Sequence, residues 1–229
     1  MSQSKIKNII LDNGGVLSEP KTGHWFITPN FWKILNLDEI INIDNMKCSM
    51  KKYQYMLTQD PKTELDEYKM FSNFYYQVLK DFNYSNLSQE IADELANDCV
   101  YNDDKYIFYD DVEESLEDLS KKYNLYMITD AWSSSFRVLN NRDLSKYFKN
   151  IMVSSIESKT KLEGLFERFL EKNINIIPEE SIFIDDRSDI LDKAKESGFN
   201  VLLMDRKCEC TDSKYKIIHR LSEVRSIID

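Results

Sequence analysis

Apolar positions along this chain fall into two regimes. A short, partly β-branched run at residues 6–11 predicts a first strand, and it stops at Asp12-Asn13-Gly14-Gly15. From there to about residue 104 no strong strand pattern appears. The best helical stripe in that stretch is Phe71, Phe74, Tyr75, Val78, Leu79 and Phe82, spaced as a wide buried face requires. A weaker stripe runs through Ile91, Leu95 and Cys99. After residue 105 short apolar runs and amphipathic segments alternate. A helix with Val112, Leu116 and Leu119 on one face leads into a strand at 125–128, and a short helix from near Ser133 precedes a strand at 150–153. A helix placing Leu162, Leu165, Phe166, Phe169 and Leu170 on one face follows, then a strand at 181–184. A helix with Ile190, Leu191 and Ala194 stops at Gly198, a C-cap position, before a strand at 200–203 and a closing helix at 219–228. Such alternation predicts an α/β fold with a parallel sheet covered on both faces. The helical stretch between the first strand and the rest predicts an inserted domain.

Bulk composition narrows the classes without choosing among enzymes. At 229 residues the chain can form one large α/β domain, or a core with a smaller insert. Five Gly and four Pro exclude collagen-like or linker-rich architectures. A net charge of −10 argues against a general nucleic-acid binder, whose phosphate contacts need surplus Lys and Arg, but leaves room for a small phosphorylated substrate. The polar N-terminus lacks the apolar run of a signal peptide, and no segment has the length of a membrane-spanning helix. Cys48, Cys99, Cys208 and Cys210 show neither disulfide-framework nor zinc spacing, and Cys208-Glu209-Cys210 reads as a solvent-facing loop. A cytoplasmic protein without membrane partners is expected.

In an open parallel sheet, ligands bind beyond the carboxyl ends of the strands, near the point where strand order reverses. The residues expected there are Asp12 with Gly14-Gly15 after the first strand, Thr129-Asp130 after the second, Lys159 and Lys161 after the third, and Asp185-Asp186 after the fourth. These are the parts of phosphoryl chemistry. A carboxylate can attack phosphorus, a hydroxyl and a lysine can hold the phosphoryl oxygens, and further carboxylates can bind Mg²⁺, a hard cation that takes oxygen ligands. Each part alone is weak, because among 40 acidic residues most carboxylates are surface charge and a Thr or Lys after a strand is commonplace. The Asp185-Asp186 pair is less ordinary, since adjacent carboxylates ending an apolar strand repel unless a cation is near. The set in this order, one part per strand end, carries the reading.

At these positions the sequence resembles the haloacid dehalogenase-like hydrolase superfamily, in the subgroup with a helical cap inserted after the first motif. The resemblance rests on NIILDNGGVL, LYMITDAWSSS, SKTKLEGLFERFLEK and SIFIDDRSDILDKAKESGF. It implies a Rossmann-like three-layer core with strand order 5-4-1-2-3, formed by residues 1–17 and 105–229, and a cap at 18–104. It further implies Asp12 as nucleophile, Lys161 as the motif lysine, and Thr129, Asp130 and Gly15 as phosphate contacts. Mg²⁺ would be held by Asp12, the Gly14 carbonyl and Asp186, with Asp185 direct or one shell out. The implied activity is phosphatase chemistry on a small phosphorylated metabolite.

Two departures qualify that expectation. The family's phosphatases usually carry an acid–base Asp two residues after the nucleophile, where this chain has Gly14, and such help is worth roughly 10²–10⁴-fold in rate. Glu19, His24 and Asp130 are candidate substitutes, and a good leaving group such as a sugar 1-phosphate would need the acid least. The usual lysine motif is also altered, to Lys161-Leu162-Glu163-Gly164, which keeps Lys159 open as the alternative lysine. Beyond the first motif, Lys21 could meet an anionic group and Trp25 could wall a pocket, although surface charge and cap packing account for each singly. The competing functions are a non-catalytic binding protein on the same fold, which Gly14 keeps open, and a 2-haloacid dehalogenase, which the Asp185-Asp186 pair disfavours. A signalling receiver domain is also an Asp-phosphorylated α/β protein, but its acidic pair ends the first strand.

Overall fold

The computed structural model of the chain describes residues 5–58 and 60–228; positions 1–4 of the polar N-terminal stretch lie outside them. Its strands are β1 (Asn8–Leu11), β2 (Ser18–Pro20), β3 (Tyr106–Phe108), β4 (Asn124–Thr129), β5 (Phe148–Val153), β6 (Ser181–Asp185), β7 (Asn200–Met204) and β8 (Ile217–Ile218). Its helices are α1 (Phe31–Leu35), α2 (Glu39–Tyr53), α3 (Glu64–Asp81), α4 (Gln89–Tyr101), α5 (Val112–Ser120), α6 (Ser134–Asn141), α7 (Ser154–Glu157), α8 (Leu165–Lys172), α9 (Ser188–Glu196) and α10 (Val224–Ile228). Two compact units divide the chain. Met1–Glu19, Phe108–Ala131 and Ser135–Asp229 form an α/β unit, and Pro20–Ile107 with Trp132–Ser134 form a helical unit.

The α/β unit is built on a six-stranded sheet in the order β5-β4-β1-β6-β7-β8, paired in parallel throughout. Its first five strands reproduce the expected 5-4-1-2-3 order read from the other edge, and β8 extends the sheet beyond β7. Strand β1 is buried along its whole length because β4 and β6 flank it and helices cover both faces. Its side chains alternate accordingly. Ile9 and Leu11 join a core with Val112, Leu116 and Leu119 of α5 and Val224 of α10. Ile10 joins a second core with Phe166 and Phe169 of α8 and Ile190 and Leu191 of α9. A period of two, with both faces apolar, is what a central parallel strand between two helical layers requires.

The helical unit has its own core, in which Phe71, Phe74, Tyr75, Val78 and Leu79 of α3 pack with Leu95, Ala96 and Cys99 of α4 and with Phe31, Met46 and Met50. Side-chain caps start its longer helices. Asp38 accepts from the Ile41 N–H, Thr63 from the Asp66 N–H and Ser88 from the Ile91 N–H, each satisfying an orphan donor of the first turn. One carboxylate lies wholly inside. Glu67 of α3 is fully buried and accepts from Ser133 Oγ at 3.0 Å, Ser134 N at 2.8 Å and Ser134 Oγ at 2.7 Å. Burial holds its carboxyl above the usual range despite these bonds.

The structure corrects three local expectations. Leu162 does not lie on the buried face of α8; it sits in a 3₁₀ turn, Lys161–Glu163, and is 48% exposed. Gly164, at φ 106°, separates that turn from the helix. The expected helix at 219–228 is shorter, a 3₁₀ turn at Leu221–Glu223 followed by α10. The stretch before residue 104 contains β2, which pairs with β3 where the chain passes between the units; three residues are too few to show a period. Helices α1 and α2 lacked a readable stripe, and α2 leaves Ile40 and Ile41 exposed. Among the described residues, no helix is long and apolar enough to cross a membrane.

Candidate active site

Asp12 follows β1 directly, and its N–H still donates to the Ile184 carbonyl of β6 at 3.0 Å. Its side chain is therefore delivered beside the carboxyl end of β6, where Asp185 is the last strand residue and Asp186 the next. Carboxylate oxygens of Asp12, Asp185 and Asp186 lie within 4.8 Å of one another. Lys161, in the 3₁₀ turn before α8, is 3% exposed and reaches both neighbours, with Nζ 3.0 Å from Asp12 Oδ1 and 2.7 Å from Asp185 Oδ2. Its own N–H donates to Asp130 Oδ1 at 2.9 Å, so the turn carrying the lysine is tied to the residue after β4. Thr129, 2% exposed, ends β4 beside β1. Lys159 is exposed and lies by Gly164 instead. Of the two lysines, Lys161 is the one that meets the carboxylates.

Charge in this cluster is unbalanced. Three close carboxylates share one buried ammonium, and Asp12 Oδ1 is buried without a hydrogen-bond partner although the ammonium stands close by. Burial, and then the charge of Asp12, push the Asp185 carboxyl up to about 7 against the pull of Lys161. For Lys161, burial works against the ammonium, but Asp12, Asp185 and Asp130 outweigh it and hold the group protonated. An excess of hard oxygen ligands with an unsatisfied lone pair is the donor set that a divalent cation completes. The donor set suits a hard divalent cation such as Mg²⁺, which the clustered carboxylates of Asp12, Asp185 and Asp186 could hold.

The loop after Asp12 is shaped for close approach. Gly15 adopts φ 72°, and a Cβ there would come within 2.2 Å of Asp186 Oδ2, so both the backbone conformation and the space demand glycine. Its N–H donates to the Ser18 carbonyl at 2.8 Å, so the phosphate contact expected of Gly15 loses its donor to the loop itself. The loop is braced by residues that sequence reasoning missed. The Asn13 carbonyl accepts from the N–H groups of Leu17 and Ser18, and Asn13 Oδ1 accepts from Ser18 Oγ at 3.1 Å. Arg206, after β7, donates twice to the Val16 carbonyl, at 2.6 and 3.1 Å, and pairs with Asp111 at 2.7 Å while lying over the Tyr109 ring. An Arg 190 positions away carries no local signal in the sequence. Arg187 was also missed; its N–H donates to Asp185 Oδ1 at 2.9 Å. Of the candidate acids replacing the Asp absent at Gly14, Glu19 accepts from the Tyr109 hydroxyl at 3.3 Å, and His24 belongs to the helical unit.

The α/β unit is thus a three-layer fold that carries a carboxylate–lysine cluster at its strand ends. The sequence profile of haloacid dehalogenase-like hydrolases matches residues 34–204, and the chain belongs to that family. That match begins beyond Asp12 and the first loop. No curated protein sequence matches the chain significantly. Among solved structures, a HAD-type hydrolase from Bacillus subtilis, YfnB, bound to magnesium, is similar over 99% of this chain and 100% of its own, at 14% identity and TM-score 0.74. A HAD phosphatase from Thermococcus onnurineus and a 2-haloacid dehalogenase from Pseudomonas syringae pv. Tomato each match 97% of this chain and 98% of their own, at 18% identity and TM-score 0.66. Identities this low establish a shared fold.

Proposed function

We propose that this chain is a magnesium-dependent phosphatase of small phosphorylated metabolites, with Asp12 as its nucleophile. The observation that carries the reading is the group of three carboxylates within 4.8 Å, two of them paired with the buried Lys161 ammonium. A bound Mg²⁺ would neutralise charge between nucleophile and phosphate and polarise the phosphoryl oxygens. Asp12, Asp186 and the Gly14 carbonyl would hold it, with Asp185 direct or one shell out. Asp12 would attack phosphorus through its other carboxylate oxygen, forming an aspartyl-phosphate as the P–O bond to the leaving group breaks. The leaving oxygen departs as an alkoxide that takes its proton from water, and a further water hydrolyses the aspartyl-phosphate to free phosphate and Asp12. Lys161, kept protonated by its carboxylate neighbours, would hold Asp12 in orientation and meet the charge that develops on the phosphoryl oxygens. Thr129 and Asp130, at the adjoining strand end, would complete the phosphate cradle. With Gly14 in place of the usual acid, nothing at that position can protonate the leaving oxygen, so good leaving groups such as sugar 1-phosphates fit best.

A panel of phosphate esters, para-nitrophenyl phosphate among them, assayed with Mg²⁺ and with EDTA, tests this proposal. Phosphate release that needs the metal and disappears in Asp12→Asn is the expected result; full activity in that variant rejects the mechanism. Gly14 favours one alternative, a non-catalytic member of the family. That reading predicts Mg²⁺ binding without turnover of any ester. A dehalogenase would release halide from 2-haloacids in EDTA, and three clustered carboxylates without a metal would repel that anionic substrate.

A further inference from the structure

The helical unit contains a cavity of about 450 Å³ that the chemistry above does not use. One wall is the segment after Pro20, with His24 and Trp25; the other is α2, with Lys47, Met50, Lys51 and Gln54. The volume lies in the range of small-molecule sites. None of its lining residues is acidic, in a chain that carries 40 Asp and Glu against 30 Lys and Arg.

Lys47 and Lys51, both exposed at the mouth of the cavity, stand one helical turn apart, so they project from the same face of α2 and repel each other. Among the described residues neither meets a carboxylate, whereas adjacent Lys52 is paired with Asp81. His24 adds a third polar group. The Phe26 N–H donates to His24 Nδ1 at 3.2 Å, so the neutral ring keeps its proton on Nε2, as a donor. Burial and the charge of Lys47 both lower the affinity of that ring for a second proton. Two ammonium groups, an imidazole N–H and the Gln54 amide make a lining rich in donors. Trp25 and buried Met50 supply apolar surface beside them.

We propose that this cavity binds a small dianion, a phosphate monoester or a dicarboxylate, through Lys47, Lys51 and the Nε2–H of His24, with Trp25 and Met50 against its apolar part. One negative ligand relieves the Lys47–Lys51 repulsion and satisfies the donors together, which a neutral ligand does not do. The assignment stands apart from the Asp12 chemistry and does not require it.

The chain has two histidines, so ring NMR signals of the full-length protein report His24 directly, with His219 as the internal control. Inorganic phosphate and succinate are titrated separately in EDTA, which removes any metal-dependent anion binding at the Asp12 cluster. The expected result is a saturable change at His24, a higher titration midpoint for its ring, and His219 unmoved. Response to phosphate but not succinate assigns the site to phosphate esters, and the reverse assigns it to dicarboxylates. The double variant Lys47→Met/Lys51→Met should bind at least about tenfold more weakly, while Asp12→Asn should bind as the wild type does. His24 signals that ignore both anions up to ~50 mM, or binding unchanged in the double variant, would overturn the proposal.

Discussion

Gly15 is the residue where one added methyl group should do most harm. Gly15→Ala would force a side chain into positive φ and onto Asp186. A cost of about 1–3 kcal/mol in urea unfolding is expected, together with weakened Mg²⁺ binding by calorimetry. Unaltered metal affinity would show that Asp186 is not a ligand. Asp185 makes a pH prediction. Its folded-state carboxyl titrates at about 7 against 3.8 when unperturbed, so between those values the folded protein holds a proton that the unfolded chain has released. Stability from this group is therefore present at low pH and lost as pH rises through that window. Metal-free protein should show that loss between about pH 4 and 7, and Asp185→Asn should flatten it. Identical pH profiles for the two proteins would refute the assignment.

At the level of elements, α3 shows both what a periodic pattern reveals and what it conceals. Its aromatic stripe was legible because a buried helix face must repeat every third or fourth position. Glu67 was not singled out, because a carboxylate reads as surface charge until the Ser133 and Ser134 donors are brought to it. Removing it strands those donors. Glu67→Ala should cost about 2–4 kcal/mol in chemical denaturation, from lost bonds and an empty space. Glu67→Gln should cost much less, since an amide oxygen can accept from Ser133 Oγ and Ser134 N while the Ser134 hydroxyl rotates to accept. Equal losses in the two variants would mean that the second carboxylate oxygen, which the amide cannot replace, matters here and the filled volume does not. The turn before α8 gives the complementary lesson. Apolar spacing extended the helix back to Leu162, but Gly164 breaks it, and the turn so formed is what aims Lys161 inward.

For the molecule as a whole, the carboxylate cluster should make stability depend on magnesium. A ligand that binds only the folded state at a hundredfold its Kd adds about 2.7 kcal/mol. For a chain of this size that corresponds to a rise of very roughly 5–10 °C in Tm. Thermal unfolding in Mg²⁺ and in EDTA measures it, and Asp186→Asn should abolish most of the difference. No shift in the wild type would count against a metal at this site.

Sequence alone determined the layered α/β class and the strand-end positions of Asp12, Thr129 and Asp185-Asp186, because burial imposes periods on the chain and strands end where the apolar runs stop. The core strand order came only through the family resemblance, since no period records which strands lie side by side. The sequence favoured Lys161 but kept Lys159 open, because either lies near a strand end in sequence and only the folded turn before Gly164 shows which ammonium is buried. Braces such as Arg206 on Val16, the Glu67 clamp and the cavity with Lys47 and Lys51 were decided by tertiary structure. They join residues far apart in the chain, and no local pattern records a contact that exists only after the backbone has folded back on itself.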